Sequence, residues 1–161
     1  MLKTLKLEID MADDTDVLLK YCDETIQEMR HVENQRATIA NMTIVISSVI
    51  IGYMAQQTLN LTMLPGSIIM IFLGAYGIIM TSKLYERHQF GRSRLDQWTK
   101  RIDKLHPKSD LIKLTSLADQ EHDAQFPKLS KIRLNRLWII LHVTIMLVGI
   151  GITLVVLVVS L

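Results

Sequence analysis

The chain has 161 residues, enough for one compact unit, and its single cysteine, Cys22, excludes an intrachain disulfide or a multi-cysteine metal site. Its formal net charge is +2, but residues 1–36 hold 5 basic and 9 acidic side chains (net −4) while residues 83–136 hold 13 basic and 7 acidic (net +6). Between and beyond lie long runs without Lys, Arg, Asp or Glu, Ala37 to Met63, Pro65 to Ser82 and Leu137 to Leu161, and these predict an integral membrane protein because about 20 mostly apolar residues cross a bilayer core.

Residues 1–36 lack the basic start and short apolar core of a signal peptide, so none is expected. Val17, Leu18, Tyr21, Cys22, Ile26, Met29 and Val32 recur at steps of three and four, one face of an amphipathic helix. Asp13 or Asp14 suits its N-cap. Apart from Gly52, nothing from Asp14 to Leu59 interrupts a helix, so this cytoplasmic helix runs on into the first span. Such a helix is about 65 Å long, twice what the bilayer core takes.

The first span is the most polar. On a helical wheel Asn41, Val45, Ser48, Gly52, Ala55 and Gln56 share one side, with Thr38 nearby. Polar groups in lipid are costly unless paired or wetted, so this face avoids acyl chains. Two readings stand: close helix packing with hydrogen bonds across helices, or a water-filled pore. Three spans hold too little interior for an aqueous path, so a pore requires several copies arranged in a ring.

Leu64-Pro65-Gly66 reads as a tight turn with Pro in the first helical turn. Ser67, Gly74, Gly77 and Thr81 form a packing seam on the second span. Beyond it Leu84, His88, Gly91, Leu95, Trp98, Ile102 and Leu105 follow at alternating steps of four and three, a heptad seam ended by His106-Pro107. The seam suits pairing with residues 14–36 of the same chain, packing between subunits, or both.

Beside it Lys83, Arg87, Arg94, Arg101 and Lys108 form a basic stripe, with Arg92, Lys100 and Lys104 elsewhere on the helix. Three roles compete for it: fixing topology and attracting anionic lipid, pairing with Asp23, Glu24, Glu28 and Glu33, or binding an anionic ligand such as a nucleotide or single-stranded nucleic acid. Tyr85, Phe90 and Trp98 interleave with it and suit base stacking, although Trp98 belongs to the seam. Tyr85-Glu86-Arg87-His88 is a dense polar cluster placed to act as a gate.

Ser109 or Asp110 is expected to cap a short helix from Leu111 to about Gln125, Pro127 interrupts, and a last helix carries Leu129 through the third span. His142 is the one ionisable group inside a span, either a neutral paired imidazole or a proton sensor. His31, Glu33, His122 and Asp123 show no metal spacing, and no metal, cofactor or catalytic constellation is assigned, so the chain is not expected to be an enzyme. Basic loops stay inside. Lys83, Arg87, Arg133 and Arg136 therefore put residues 83–136 and the N-terminus in the cytoplasm and the C-terminus outside. Trp138 and Tyr85 suit interfacial anchors.

The resulting layout is all-α: a cytoplasmic amphipathic helix (1–36), a transmembrane hairpin (37–82), basic cytoplasmic helices (83–136) and a third transmembrane helix (137–161). The acidic first helix entering a hairpin, followed by Lys83-Leu84-Tyr85-Glu86-Arg87-His88-Gln89-Phe90 and Arg92-Ser93-Arg94, resembles the small membrane effectors found beside nucleotidyltransferases in bacterial anti-phage operons. These are the SLATT domains and the membrane effector of Hailong-type systems. The resemblance is one of architecture, covers residues 14–105, and leaves out the third span. It implies a homo-oligomeric, ion-conducting pore that depolarises the inner membrane, controlled by a nucleotide or oligonucleotide from a partner nucleotidyltransferase. Asn41, Ser48 and Gln56 are then the expected pore lining, and Tyr85, Arg87, Arg92, Arg94 and Arg101 the ligand site or gate. A membrane-anchored scaffold that recruits a cytoplasmic partner is the alternative.

Overall fold

The computed structural model describes the backbone of residues 2–160 and the side chains of residues 14–160. It is all-helical, with no strand among the described residues: α1 (Leu2–Met54), a 3-10 turn (Leu61–Met63), α2 (Leu64–Leu105), α3 (Leu111–Gln125) and α4 (Leu134–Ser160). Three helices are long and apolar enough to cross a membrane, within 14–54, 61–105 and 134–160.

Neither Gly nor Pro occurs before Gly52, so nothing stops a helix. Accordingly α1 is already helical through residues 13 and 14, and neither caps its start as the sequence suggested. Its end tightens, with Gln56 N–H donating to Tyr53 O at 3.2 Å in a three-residue step. Leu64 opens α2 and Pro65 sits in its first turn, where no amide hydrogen is missed. The helix stops at Leu105, ahead of His106-Pro107.

The start of α3 differs from expectation. Asp110 occupies the cap position at φ 48° and makes no side-chain cap bond. Asp103, on the last turns of α2, accepts from Leu111 N–H at 2.7 Å instead and takes over the capping role. α4 begins at Leu134 rather than Leu129, because residues 127–132 form turns after Pro127.

The chain divides into two compact units, residues 1–32 with 87–132 and residues 33–86 with 133–161. In the first, α1 and α2 pair antiparallel: Thr15 Oγ1 is 2.9 Å from His106 Nε2, Tyr21 stacks on Trp98 at 5.7 Å, and Met29 covers Gly91. The heptad seam thus faces α1 of the same chain. None of the α3 side chains is buried.

In the second unit α1, α2 and α4 pack around Met54, Met63, Met70 and Val156, with Ile50, Leu64, Ile145 and Ile152 against them. Glycines let α2 and α4 touch. A Cβ on Gly74 would stand 2.6 Å from Met146 Cβ, and one on Gly149 2.8 Å from Ser67 O. Ser67 Oγ donates to Leu64 O, and Thr153 Oγ1 lies 2.8 Å from both Ser67 Oγ and Gly149 O. The hydroxyls at this end are satisfied, as buried polar groups must be.

Candidate functional site

Three polar constellations stand out, two in the membrane-helix unit and one in the other. The first is the polar side of α1. Asn41, Val45, Ser48 and Gly52 are all exposed on the protomer, while the opposite register (Arg36, Ala40, Thr43, Ser47, Met54) is buried. A Cβ on Gly52 would meet nothing within 4 Å. Ser48 Oγ donates back to Ile44 O at 2.8 Å. The Asn41 carboxamide makes no hydrogen bond to any described residue. An amide keeps its full hydrogen-bonding demand, and leaving it unmet in hydrocarbon costs several kcal/mol, roughly 2–7. Gln56 is exposed too, but it lies in the turn beyond Met54 and not on the helical face.

The second constellation went unread in the sequence. Arg36, just before the first charge-free run, is only 2% exposed. Its Nη1 donates to Glu33 Oε1 at 2.7 Å and its Nη2 to Asn135 Oδ1 at 3.0 Å. The guanidinium lies 6.0 Å from the Tyr85 ring and 5.9 Å from the Trp138 ring, cation–π distances. One side chain therefore ties α1 to α2 and α4. Tyr85 and Trp138, expected as interfacial anchors, spend their ring faces on it. The signal was present: Val32, Arg36, Ala40, Thr43 and Ser47 step by 4, 4, 3, 4, which puts Arg36 on the inward stripe.

One turn beyond Trp138 on α4, His142 is fully buried (0% exposed), its ring against Gly77 so closely that a Cβ there would overlap the imidazole.

The third constellation is the basic stripe. Arg87 donates to Glu28 Oε1 through Nε (3.2 Å) and Nη2 (2.7 Å), and Arg94 lies 3.9 Å from the other carboxylate oxygen. Arg94 also sits 5.0 Å from the Trp98 ring and 5.6 Å from Phe90. Of the four acidic partners expected for the stripe, Glu28 takes the part, Glu33 serves Arg36, and Asp23 accepts from Gln27 at 2.9 Å. Arg92 and Arg101 are exposed, and no ion pair joins either among the described residues. One carboxylate between two guanidinium groups leaves net positive charge, and in exposed pairs like these the attraction is weak, about 0–1 kcal/mol.

Comparison with family models, with curated proteins and with solved structures finds no match.

Proposed function

We propose that this protein is a homo-oligomeric ion channel of the bacterial inner membrane, an anti-phage effector that depolarises the cell when a nucleotide or nucleic-acid ligand acts on its cytoplasmic helices. The observation that carries the conducting part is the Asn41–Ser48 face. These polar side chains lie on a membrane helix, outside the protomer, with the amide of Asn41 unmatched. Copies arranged in a ring turn such faces toward a shared, wetted axis. Gln56 stands at the outer mouth of that path. The positive-inside rule puts the N-terminus and the basic segment in the cytoplasm and the C-terminus outside.

The defence role and the ligand rest on the architectural resemblance. Support for a ligand on the basic helix comes from Arg92 and Arg101, which no ion pair joins among the described residues, and from Arg87 and Arg94, which share a single carboxylate that an incoming phosphate displaces. Tyr85 belongs to the Arg36 cluster and acts as gate rather than as ligand contact. The test is ion flux through liposomes holding the full-length protein, with and without short oligonucleotides. Flux altered by an oligonucleotide is expected, and no flux from an intact oligomer under any condition would defeat the proposal.

A scaffold that recruits a partner is the second reading. It is favoured by α3, whose Ile112, Leu114 and Leu117 are all exposed. It requires that α3 bind a cytoplasmic protein while conduction is absent.

A further inference from the structure

Buried polar atoms without partners are rare in folded proteins, and in the membrane-helix unit most of them lie on or within a helical turn of two side chains, His142 and Trp138. Among the described residues both ring nitrogens of His142 lack a hydrogen-bond partner, and so do Thr81 Oγ1, Trp138 Nε1, Arg36 Nε and Ser47 Oγ. His142 and Thr81 are 0% and 1% exposed and Ser47 is 3% exposed. Thr81 is one turn beyond Gly77, which carries the imidazole, and Trp138 is one turn before His142. Because α2 and α4 run antiparallel, hydroxyl and indole N–H stand at the same level beside the ring. Ser47 lies on the buried register of α1, eleven residues beyond Arg36 and nearer the Met54 end, apart from this group.

The contrast with neighbouring hydroxyls is informative. Thr43 donates to Ile39 O at 2.8 Å, and Ser67 and Thr153 are paired as described. Ser47 and Thr81 are equally able to bond back to their own helix, yet do not. The chemistry of the orphans selects their occupant. Trp138 Nε1–H only donates, the hydroxyls do both, and a neutral imidazole has one donor and one acceptor. A metal cation finds no anionic ligand here, and the one positive charge beside the orphans, the Arg36 guanidinium, is already matched by Glu33. Water, which donates twice and accepts twice, complements the set.

We infer that the unit encloses water molecules bound among His142, Thr81 and Trp138, and that the His142 imidazole is a proton-binding site reached through them. A hydronium arriving along this water gives its proton to the free ring nitrogen, leaving imidazolium and water, and the reverse step returns it. The charged groups nearest the site are Arg36 and its partner Glu33, at the Trp138 end; α1, α2 and α4 offer no carboxylate at the level of the ring. Glu33 is 35% exposed, which makes that end the route to bulk water. The site is distinct from the Asn41–Ser48 face and does not depend on conduction there.

The test is solid-state NMR of the full-length protein in lipid bilayers, labelled with 15N at histidine. The His142 signals are assigned by their loss in His142→Phe. A cross-peak from water to the ring nitrogens is expected, together with an imidazolium signal that grows at the expense of the neutral one as bulk pH is lowered. In Thr81→Val, which keeps the shape and removes the hydroxyl, the cross-peak weakens while other signals stay in place. A ring with no water cross-peak and one neutral tautomer throughout would overturn the inference. So would a wet ring that does not titrate. Since no ion flux is read, failure of the channel reading leaves this result interpretable.

Discussion

Arg36 Nη2 donates to Asn135 Oδ1 at 3.0 Å, joining the first and last membrane helices through a guanidinium that water barely touches. The charge is matched by Glu33 at 2.7 Å. Removing the match leaves a buried cation unpaired, which is more damaging than removing both partners. Glu33→Leu is expected to cost about 2 kcal/mol, toward the low end for such pairs because Glu33 itself is partly exposed. Thermal unfolding followed by tryptophan fluorescence reads this directly, Trp138 being part of the cluster. Glu33→Leu with Arg36→Met should be milder than Glu33→Leu alone.

Close approach of α2 and α4 depends on Gly77 lying under His142. Gly77→Leu must push the imidazole and α4 away. Ser67 Oγ and Thr153 Oγ1 are 2.8 Å apart, so Ser67→Cys with Thr153→Cys, in a Cys22→Ser background, should form a disulfide on mild oxidation. Adding Gly77→Leu should abolish it. A disulfide that still forms in full would show that α4 is not held against Gly77.

Asp103 reaches across the turn to cap α3, its Oδ1 accepting from Leu111 N–H. Asp103→Ala should cost about 1 kcal/mol of local helix stability, read as faster hydrogen exchange at the amides of residues 111–113 with the rest unchanged. Asp110, at φ 48°, is the described non-glycine residue in the left-handed region. Asp110→Gly should be neutral or slightly stabilising, by up to about 1 kcal/mol.

Burial raises the thiol of Cys22 above its ordinary value. At any given alkaline pH the folded chain therefore holds less thiolate than the unfolded chain. Alkylation by iodoacetamide should be slower than in denaturant, with its pH midpoint displaced upward. The contribution of this thiol to stability is complete below its unfolded pKa and fades as pH rises through the folded one. Equal midpoints in the two states would contradict the partial burial of Cys22.

Much of the helical layout was legible because charge-free runs and heptad steps are coarse signals. The seam from Leu84 to Leu105 read correctly since the same 4, 3 alternation extends back through Thr81, Gly77, Gly74, Met70 and Ser67, all buried. Arg36 was missed because an arginine next to a span reads as a boundary charge; only the inward stripe that it shares with Ala40 and Thr43 reveals it. Ser47 and Ser48 are adjacent in sequence and opposite in fate, one buried and one exposed. A wheel gives their faces, but which face meets α2 and α4 is decided by packing. The cap at Leu111 was misplaced because Asp103 is distant in sequence from the helix it caps. Whether the stripe binds phosphate was not legible, since Arg87 and Arg94 needed Glu28 located before their charge could be counted.

On the proposed function, the exposed polar face of α1 lines the ion path. The most direct measurement is potassium flux from liposomes holding equal amounts of wild-type protein or the Asn41→Leu/Ser48→Leu variant. Both side chains lie outside the protomer core, so stability of the fold should change by less than about 0.5 kcal/mol, and flux should fall at least tenfold. Undiminished flux from the double variant would contradict the account.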